Sequence, residues 1–559
     1  MPDTMIPDEL PAEPATELTP AQVFALFPQH DDTLPSLLAS RAAVMPDAEA
    51  VLFQTRSWTY RQVSEAVETL AAALNAHGIR AGDLVAHVAP NSDVAVLLFL
   101  ALARIGAVFV PLNPALTDDE LHYQLQHSQA VAAYAPQSLC ARVEQIATRC
   151  ARPARVAPLE PCGLDAASAA AALACIAGES PADAPPLPMP SPDDPAVVIY
   201  TSGTTGFPKG VVHSQRTVVW SAEVFVGRLR LQPRERMLTV FPLFHVNALF
   251  YSFAGALACG GTFITAAKFS ASTFWQTAVD TGATQLNILA ALGSILGLRP
   301  RSEFNPAHRI RKIYGGPISV DMFRLFQQEF GVPLLIEGYG MSEIPSTCSN
   351  PYEGPHKPGS IGRAGVHPRF DGAFAQLRVV DDDGRDVEVG EAGELLVQTP
   401  TLFVAYLNDA QQTAEAFRDG WFATGDLVRM DADGYFYFVA RKKDIIRKRG
   451  ENISGAELDV LLGRHPELAE AATIAVPSEL GEDDILAVLV ARDGATPTHE
   501  AVIEWCHAHM AAIKVPRYLV FADALPKTPT QRVAKHLLKK DAALIARARD
   551  MEAAQAATR

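Results

Sequence analysis

Apolar residues recur along the chain in two patterns, one with the short period of strands and one with the longer period of helices. The runs AVVIY (196–200), RMLTV (236–240) and GTFIT (261–265) are rich in β-branched residues and predict strands, whereas SASTFWQTAVDTG (270–282) has helical spacing. Strands that alternate with helices are typical of parallel sheets joined by helical crossovers. The pattern therefore predicts an α/β fold with a large N-terminal domain of stacked, mainly parallel sheets and helices.

The longest apolar run, VAVLLFLALARIGAVFV (94–110), has the composition of a membrane segment. Arg104 interrupts it, and the uninterrupted part is too short to cross a bilayer. Asn91 or Ser92 can cap a helix that starts there. The run therefore predicts a buried helix that leads into a buried strand ending at Pro111.

The two ends of the chain differ from this pattern. From about Gly393 short strands and turns replace the long helical runs, which predicts a smaller C-terminal α+β domain after Ala440. The first residues are acidic and rich in proline, which predicts a flexible N-terminal arm over residues 1–33. The large domain would then span residues 34–440.

Composition narrows the functional classes. The chain has 559 residues and a net charge of −16, which argues against a nucleic-acid partner. Its seven cysteines include no CxxC pair, and their odd number favours reduced thiols over disulfides or a zinc site. These features predict a cytoplasmic protein without a membrane span.

The strongest candidate for chemistry is YTSGTTGFPKG (200–210). A strand that ends in Ser, Thr and Gly presents hydroxyl and backbone N–H groups in one turn, and Lys209 adds a positive charge, so the composition favours phosphate binding. Pro208 and Gly210 break the pattern of the common NTPase P-loop. Alone, such a segment is equally typical of a flexible surface loop.

Three further motifs follow the first in order. EGYGMSE (337–343) ends in Glu343, and one carboxylate beside phosphate oxygens suffices for Mg²⁺. WFATGDL (421–427) places Asp426 after a glycine, where it can accept ribose hydroxyls. The paired glycines of IYGGPIS (313–319) allow a flat ring to approach the backbone. Each alone is typical of an ordinary turn or a solvated acid.

Together and in this order, the four motifs resemble the adenylate-forming superfamily, from about Leu34 to Lys540, and in particular its acyl-CoA synthetases. FHVNAL (244–249) and PKTPT (526–530) are similar to crotonobetaine/carnitine-type CoA ligases. The resemblance implies that the protein binds ATP and Mg²⁺, activates a carboxylic acid as an acyl-adenylate with loss of pyrophosphate, and passes the acyl group to the thiol of CoA. It also implies a mobile C-terminal domain over residues 444–559, which rotates about a hinge at residues 441–443 between the two half-reactions.

The resemblance assigns roles residue by residue. Adenine would lie against Gly316, Tyr339 and Gly340, the α-phosphate against Ser342, where threonine is usual, and the ribose against Asp426 and Arg441. Glu343 and Thr204 would hold Mg²⁺, Lys443 would be the hinge residue, and Gly450 would let the backbone approach the pantetheine arm of CoA. The pyrophosphate side of ATP would be bound by Thr201, Ser202, Gly203, Thr204, Thr205, Gly206 and Lys209.

The sequence specifies the carboxylic acid substrate less well than the nucleotide site. FPLFHVNALF (241–250) matches the family's acyl-pocket segment, in which His245 shapes or gates the pocket, although a packed core histidine is an alternative. Amino-acid-activating relatives have an aspartate beside that phenylalanine, and this chain has none. The other wall, NILAALG (287–293), is apolar with small residues, which favours an aliphatic or aryl acid.

The family's last catalytic lysine ends a TGK tripeptide, and TQR (530–532) stands at that place in this chain. Arg532 keeps the charge but not the flexible point charge of lysine, and Lys535 lies three residues further on. Either residue is a candidate for the adenylation step. The leading hypothesis is an acid:CoA ligase. The alternatives are a stand-alone enzyme that passes the acyl group to a carrier-protein thiol or an amine, and a nucleotide-binding protein with impaired adenylation. The choice between monomer and homodimer stays open.

Overall fold

The structure is a computed structural model that describes residues 17–159, 187, 189–201, 208–316, 318, 320–448, 451–478, 483–528 and 532–552. The chain divides into two compact units. The first comprises the described residues up to Thr201 with Pro208–Gln376 and Gln398–Gly420, and the second comprises Leu377–Val397 and the described residues from Trp421 onwards. This division differs from a boundary at Ala440, because the strands of 377–397 and 421–440 cluster with the C-terminal part of the chain.

The first unit contains two mainly parallel sheets. Its helices are α1 Pro20–Ala25, α2 Leu34–Val44, α3 Tyr60–Ala76, α4 Asp93–Arg104, α5 Asp118–Ser128, α6 Gln137–Ala147, α7 Gln215–Leu229, α8 Ala254–Cys259, α9 Phe274–Asp280, α10 Ala290–Leu298, α11 Val320–Arg324 and α12 Ala410–Glu415. Short π-helical segments lie at Asn247–Phe253 and Leu325–Glu329, and a 3₁₀ turn at Arg301–Glu303.

The strands of the first unit are β1 Glu49–Phe53, β2 Arg56–Thr59, β3 Leu84–Val88, β4 Val108–Leu112, β5 Ala132–Ala135, β6 Arg155–Pro158, β7 Pro195–Thr201, β8 Lys209–Ser214, β9 Arg236–Leu238, β10 Thr262–Thr265, β11 Gln285–Ile288, β12 Lys312–Gly315, β13 Leu334–Tyr339, β14 Cys348–Ser349, β15 Arg363–Ala364, β18 Ala405–Tyr406 and β19 Phe417–Arg418. One sheet has the order β15-β14-β13-β12-β11-β9-β10-β1-β2 and the other β18-β8-β7-β4-β3-β5-β6. Antiparallel pairs occur at the edges of both sheets, as at β1–β2 and β7–β8. The predicted strands at 196–200, 236–240 and 261–265 are β7, β9 and β10, and the predicted helix contains α9, so the α/β prediction is confirmed.

The apolar run 94–110 is buried within the first unit. Ser92 caps α4, since its side chain accepts a hydrogen bond from the backbone N–H of Ala95, and every residue from Asp93 to Ala103 is buried. The following strand, β4, extends to Leu112, one residue beyond the predicted end. No helix in the described part of the chain is both long and apolar enough to cross a membrane.

The predicted flexible arm is wrong for its described part. Residues 17–33 include α1, which is capped by a reciprocal Thr19–Gln22 box. Val23 and Phe27 are buried, with exposed fractions of 0% and 6%, in the main hydrophobic core. These two apolar side chains hold the segment to the core, and the acidic, proline-rich composition of its neighbours did not reveal them.

The second unit contains three small sheets. Its strands are β16 Gln376–Val380, β17 Ala392–Gln398, β20 Trp421–Met430, β21 Phe436–Arg441, β22 Ile445–Lys448, β23 Glu451–Ser454, β24 Leu468–Pro477, β25 Asp483–Ala491, β26 Tyr518–Phe521 and β27 Arg549–Asp550. The pairing orders are β16-β17-β20-β21, β22-β23 and β24-β25-β26-β27. Its helices are α13 Gly455–Leu462, α14 His499–His509, α15 Lys535–Leu538 and α16 Ala542–Ala546, with 3₁₀ turns at Lys442–Asp444 and Ala512–Lys514.

The residues from Lys535 to Asp550 do not form one continuous helix. The segment divides into α15 and α16, because Asp541 interrupts the helix and its side chain caps the next one by accepting a hydrogen bond from Leu544 N. The last residues of the segment pair as β27 with β26.

Candidate active site

The predicted phosphate loop connects two antiparallel strands. β7 ends at Thr201 and β8 begins at Lys209, and these two residues are opposite each other in the sheet register. Ser202, Gly203, Thr204, Thr205 and Gly206 lie outside the described residues. Lys209 therefore stands at the end of the loop, and its ammonium nitrogen lies 4.5 Å from the centre of the Tyr406 ring.

Glu343 lies against the same tyrosine. Its Oε1 accepts a 2.8 Å hydrogen bond from the hydroxyl of Tyr406, and the carboxylate is buried with 7% of the residue exposed. Burial and then the charge of Glu343 raise the pKa of Tyr406, so the phenol stays neutral and donates. The loop lysine and the candidate magnesium ligand thus contact the same side chain, Lys209 at the ring of Tyr406 and Glu343 at its hydroxyl.

A buried histidine supports the residue before Glu343. His213 is fully buried, and its Nε2 lies 2.7 Å from the carbonyl oxygen of Ser342. Burial lowers the pKa of His213 to about 4, so the ring is neutral and donates its Nε2 proton to this carbonyl. Ser342, the α-phosphate candidate, is therefore held by its backbone carbonyl.

The adenine candidates lie at the ends of β12 and β13. A Cβ at Gly316 would stand 2.4 Å from the carbonyl oxygen of Gly338, and one at Gly340 would stand 3.1 Å from the carbonyl oxygen of Ile344. Both glycines are therefore required by the packing of neighbouring backbone as well as by any ring. Tyr339 is the last residue of β13 and is half-buried.

The two segments expected to line the acid are joined by amide side chains. His245 is half-buried, stacks edge-on against Phe244 at 4.7 Å, and precedes the π-helical segment Asn247–Phe253. Asn287 Nδ2 donates to Asn247 Oδ1 at 2.9 Å, and Gln285 Nε2 donates to Asn287 Oδ1 at 2.6 Å. Sequence analysis described these walls as apolar and missed this polar chain, whose only signal was the pair of asparagines.

In the second unit, Asp426 and Arg441 are opposite each other on β20 and β21. Arg441 Nε lies 3.1 Å from Asp426 Oδ1, and Asp426 is buried with an exposed fraction of 2%. The preceding Gly425 has φ of 69°, a conformation that favours glycine, and Asp426 N donates to Thr424 Oγ1 at 3.1 Å. Gly425 and Asp426 thus lie within β20, and the glycine allows an irregular backbone conformation just before the carboxylate residue.

Arg532 belongs to the same neighbourhood. Thr528 N donates to the carbonyl oxygen of Arg532 at 2.7 Å, and Arg532 N donates to Thr528 Oγ1 at 3.2 Å. Arg532 is exposed as a residue, yet desolvation of its guanidinium and then the charge of Arg441 lower its pKa, while Asp426 acts in the opposite direction. The three side chains are therefore within electrostatic reach of one another.

Lys535 lies in a different environment. Its Nζ is 2.6 Å from Oδ2 of Asp459, and the lysine side chain is 14% exposed. Asp459 Oδ1 also accepts hydrogen bonds from the backbone N–H and the hydroxyl of Thr473, at 2.6 and 2.8 Å. Of the two candidates for the missing lysine, Arg532 is thus influenced by the charges of Arg441 and Asp426, and Lys535 forms an ion pair with Asp459 of helix α13.

Two hinge-related predictions are only partly described. Lys443 lies in the 3₁₀ turn Lys442–Asp444, whose neighbour Lys442 bonds to Asp382 at 2.7 Å and Glu394 at 3.3 Å. Gly450 lies outside the described residues. Tyr406 and His213 are the residues that sequence analysis missed, because each contacts the site across more than sixty positions of chain and belongs to no motif.

Comparison with known proteins places this site in a family. The model of the AMP-binding enzyme matches residues 38–407, and that of the AMP-binding enzyme C-terminal domain matches residues 457–532. The chain is 34% identical over 519 residues to the indoleacetate–CoA ligase of Aromatoleum aromaticum, covering 91% of this chain and 98% of that protein.

Two further similarities agree with these matches. The chain is 30% identical over 492 residues to a crotonobetaine/carnitine–CoA ligase of Escherichia coli, covering 86% of this chain and 93% of that protein. Among solved structures, ATP-bound MatB from Rhodopseudomonas palustris superposes with a TM-score of 0.78 at 28% identity, over 90% of this chain and 98% of that one.

Proposed function

The chain belongs to the AMP-binding enzymes and is an acid:CoA ligase, and from this premise we propose which of its residues carry each half of the reaction. The family match over residues 38–407 carries the assignment of the activity. The enzyme uses ATP to convert a carboxylic acid into an acyl-adenylate and then forms an acyl-CoA thioester. The roles of individual residues in this chain are our proposal.

The pyrophosphate end of ATP binds to the loop 201–209, with Lys209 as its cation. Lys209 and Glu343 both contact Tyr406, so a phosphate chain that reaches the lysine also reaches the carboxylate. Glu343, together with Thr204, would hold Mg²⁺, and a buried carboxylate beside phosphate oxygens suits that ion. The ion neutralises charge on the phosphate oxygens when it is bound. Tyr406 keeps the carboxylate oriented by donating its proton to Oε1.

The nucleoside end is bound by residues at the ends of β12 and β13 and by Asp426 within β20. Asp426 accepts the two ribose hydroxyls, since a carboxylate is a strong acceptor, and its Oδ1 lies 3.1 Å from Arg441 Nε. Gly316, Tyr339 and Gly340 provide a backbone surface for adenine, and the Ser342 hydroxyl donates to the α-phosphate.

Arg532 provides the positive charge for the adenylation step. It is the residue at the family's lysine position, and it is held near Arg441 and Asp426. A cation placed where the carboxylate of the acid attacks the α-phosphate stabilises the negative charge that develops there. In the second half-reaction, Lys443 would allow the C-terminal domain to rotate, and Gly450 would admit the pantetheine arm of CoA.

The acid is proposed to be an aliphatic or aryl carboxylic acid. The named relatives act on acids as different as indoleacetate and crotonobetaine or carnitine, so identity of 30–34% does not select one. His245 and the segment 287–293 would surround the acyl part. A panel of such acids, assayed for pyrophosphate release with and without CoA, identifies the substrate. A cytoplasmic location and a homodimer stay predictions.

Glu343→Gln tests the site directly. We expect acid-dependent pyrophosphate release to fall on the order of tenfold or more, with a much smaller loss of ATP affinity, because charge on the phosphates develops mainly in the transition state. Glu353→Gln is a matched control, since Glu353 is exposed and pairs with Arg230 at 2.7 Å. An equal loss of ATP binding and turnover would argue against a role for Glu343 in the chemical step.

A further inference from the structure

Two aromatic residues on one face of helix α5 lie beside the phosphate loop. Tyr123 and His127 are four residues apart, which places them one helical turn apart on the same side of the helix. Their rings stack with centres 5.5 Å apart and planes inclined by 20°. No motif in the sequence drew attention to either residue.

The two residues reach opposite ends of the loop. The hydroxyl of Tyr123 donates to the carbonyl oxygen of Pro208 at 3.0 Å, just before Lys209. On the other side, the hydroxyl oxygen of Tyr200 lies 2.8 Å from Nδ1 of His127 and 3.3 Å from the carbonyl oxygen of Gln124. One helix therefore bonds to the residue before Thr201 and to the residue before Lys209.

The helix that makes these bonds is itself firmly held. Its first turn has a reciprocal capping box between Thr117 and Glu120, and Leu121 and Leu125 are buried in the core beneath it. Asn408 Nδ2 donates to the carbonyl oxygen of His127 at 2.8 Å. Burial lowers the pKa of His127 and raises that of Tyr200, so both groups are neutral near pH 7 and the phenol donates to the imidazole.

We propose that Tyr123 and the Tyr200–His127 pair act as a clamp on the residues next to Lys209 and Thr201, and so position Lys209 and Thr201 for the pyrophosphate part of ATP. Groups that are held in place before a ligand arrives lose less conformational entropy when it binds. These are positioning residues, since they act through the loop backbone. The inference rests on the proposed role of the loop 201–209 in binding ATP.

AMP provides the discriminating measurement, because it lacks the pyrophosphate part. Titration calorimetry of the full chain with ATP and Mg²⁺, and separately with AMP, needs no knowledge of the acid. We expect Tyr123→Phe and Tyr200→Phe each to weaken ATP binding about threefold to tenfold, the size of one lost hydrogen bond between neutral groups. AMP affinity and the unfolding temperature should stay close to those of the unchanged protein. The double variant should show the product of the two effects if the ends are held independently.

Two further variants separate the possible failures. Tyr352→Phe is the matched control, since its hydroxyl donates to the carboxylate of Glu17 at 2.8 and 2.9 Å, and it should alter neither affinity. Lys209→Ala should weaken ATP and spare AMP. If Lys209→Ala does so and the two tyrosine variants do not, or if they weaken ATP and AMP equally, the clamp is wrong. If Lys209→Ala leaves ATP binding unchanged, the loop assignment is wrong and the clamp falls with it.

Discussion

Arg532 and Lys535 are three residues apart, and their surroundings give the two positive charges different uses. Lys535 is paired with Asp459, which is bonded in turn to Thr473. Desolvation and then the charge of Arg441 lower the pKa of Arg532, and the charge of Asp426 acts in the opposite direction. A cation that is already paired with a carboxylate contributes to stability and interacts less strongly with a ligand. The repulsion between two neighbouring cations is reduced when an anion, such as a nucleotide phosphate, binds to them.

The largest expected effect comes from removing the positive charge of Arg532. Arg532→Ala should reduce acid-dependent pyrophosphate release on the order of tenfold to a thousandfold, as loss of one preorganised charge typically does. Thioester formation from added acyl-adenylate should be nearly unchanged, and Arg532→Lys should keep or raise adenylation because it restores a flexible point charge. If Arg532→Ala is tolerated and Lys535→Ala silences adenylation, Lys535 is the adenylation residue and Arg532 is not.

A substitution at the predicted hinge should have the reverse effect: it should impair thioester formation and spare adenylation. Lys443→Pro fixes φ and would obstruct the proposed domain rotation. Thioester formation from supplied acyl-adenylate should fall on the order of tenfold to a hundredfold, since misplaced reacting groups typically lose that much, while pyrophosphate release survives. A parallel fall in both half-reactions, with an unchanged unfolding temperature, would show that Lys443 is not the hinge.

The ion pair of Lys535 should appear in stability and not in catalysis. Lys535→Ala leaves a mostly buried Asp459 without its cation, so the free energy of unfolding in urea should fall by about 1–3 kcal/mol, between the values typical of exposed and buried pairs. The exposed pair Lys527–Glu470, at 2.8 Å, offers a control, and Lys527→Ala should cost about 0–1 kcal/mol. Adenylation at saturating substrates should stay near normal in both variants.

The smallest expected effect is a change in how the free energy of unfolding depends on pH. Burial raises the pKa of Asp459 above its usual 3.8, and Lys535 only partly opposes this. A folded pKa above the unfolded one means that the stabilising contribution is present below the unfolded pKa and is lost as pH rises through the folded pKa. Asp459→Asn should therefore make the free energy of unfolding rise more steeply with pH just above pH 4. A shallower rise would mean that Lys535 lowers the pKa of Asp459 below its usual value.

Local patterns in the sequence predicted much of the fold and the motifs. The β-branched runs became β7, β9 and β10, and Ser92 became the cap of α4, because strand period and helix capping depend on residues that are neighbours in the chain. The glycines of IYGGPIS were identified as places of close approach, and the structure explains Gly316 by the carbonyl of Gly338. The position of Arg532 at the end of TQR was likewise a property of the sequence alone.

Partners that are distant in the chain were decided by tertiary structure. Tyr406 meets Glu343 across 63 positions and Tyr123 meets Pro208 across 85, and the sheet order places β18, which carries Tyr406, beside β8. The same holds for Lys535, whose neutralisation depends on where α13 lies. Periodicity records which face of an element is apolar, and it contains no information on which element will lie against that face. The sequence therefore determined the fold class and the chemistry of the motifs, and only the packing decided that Asp459 is the partner of Lys535.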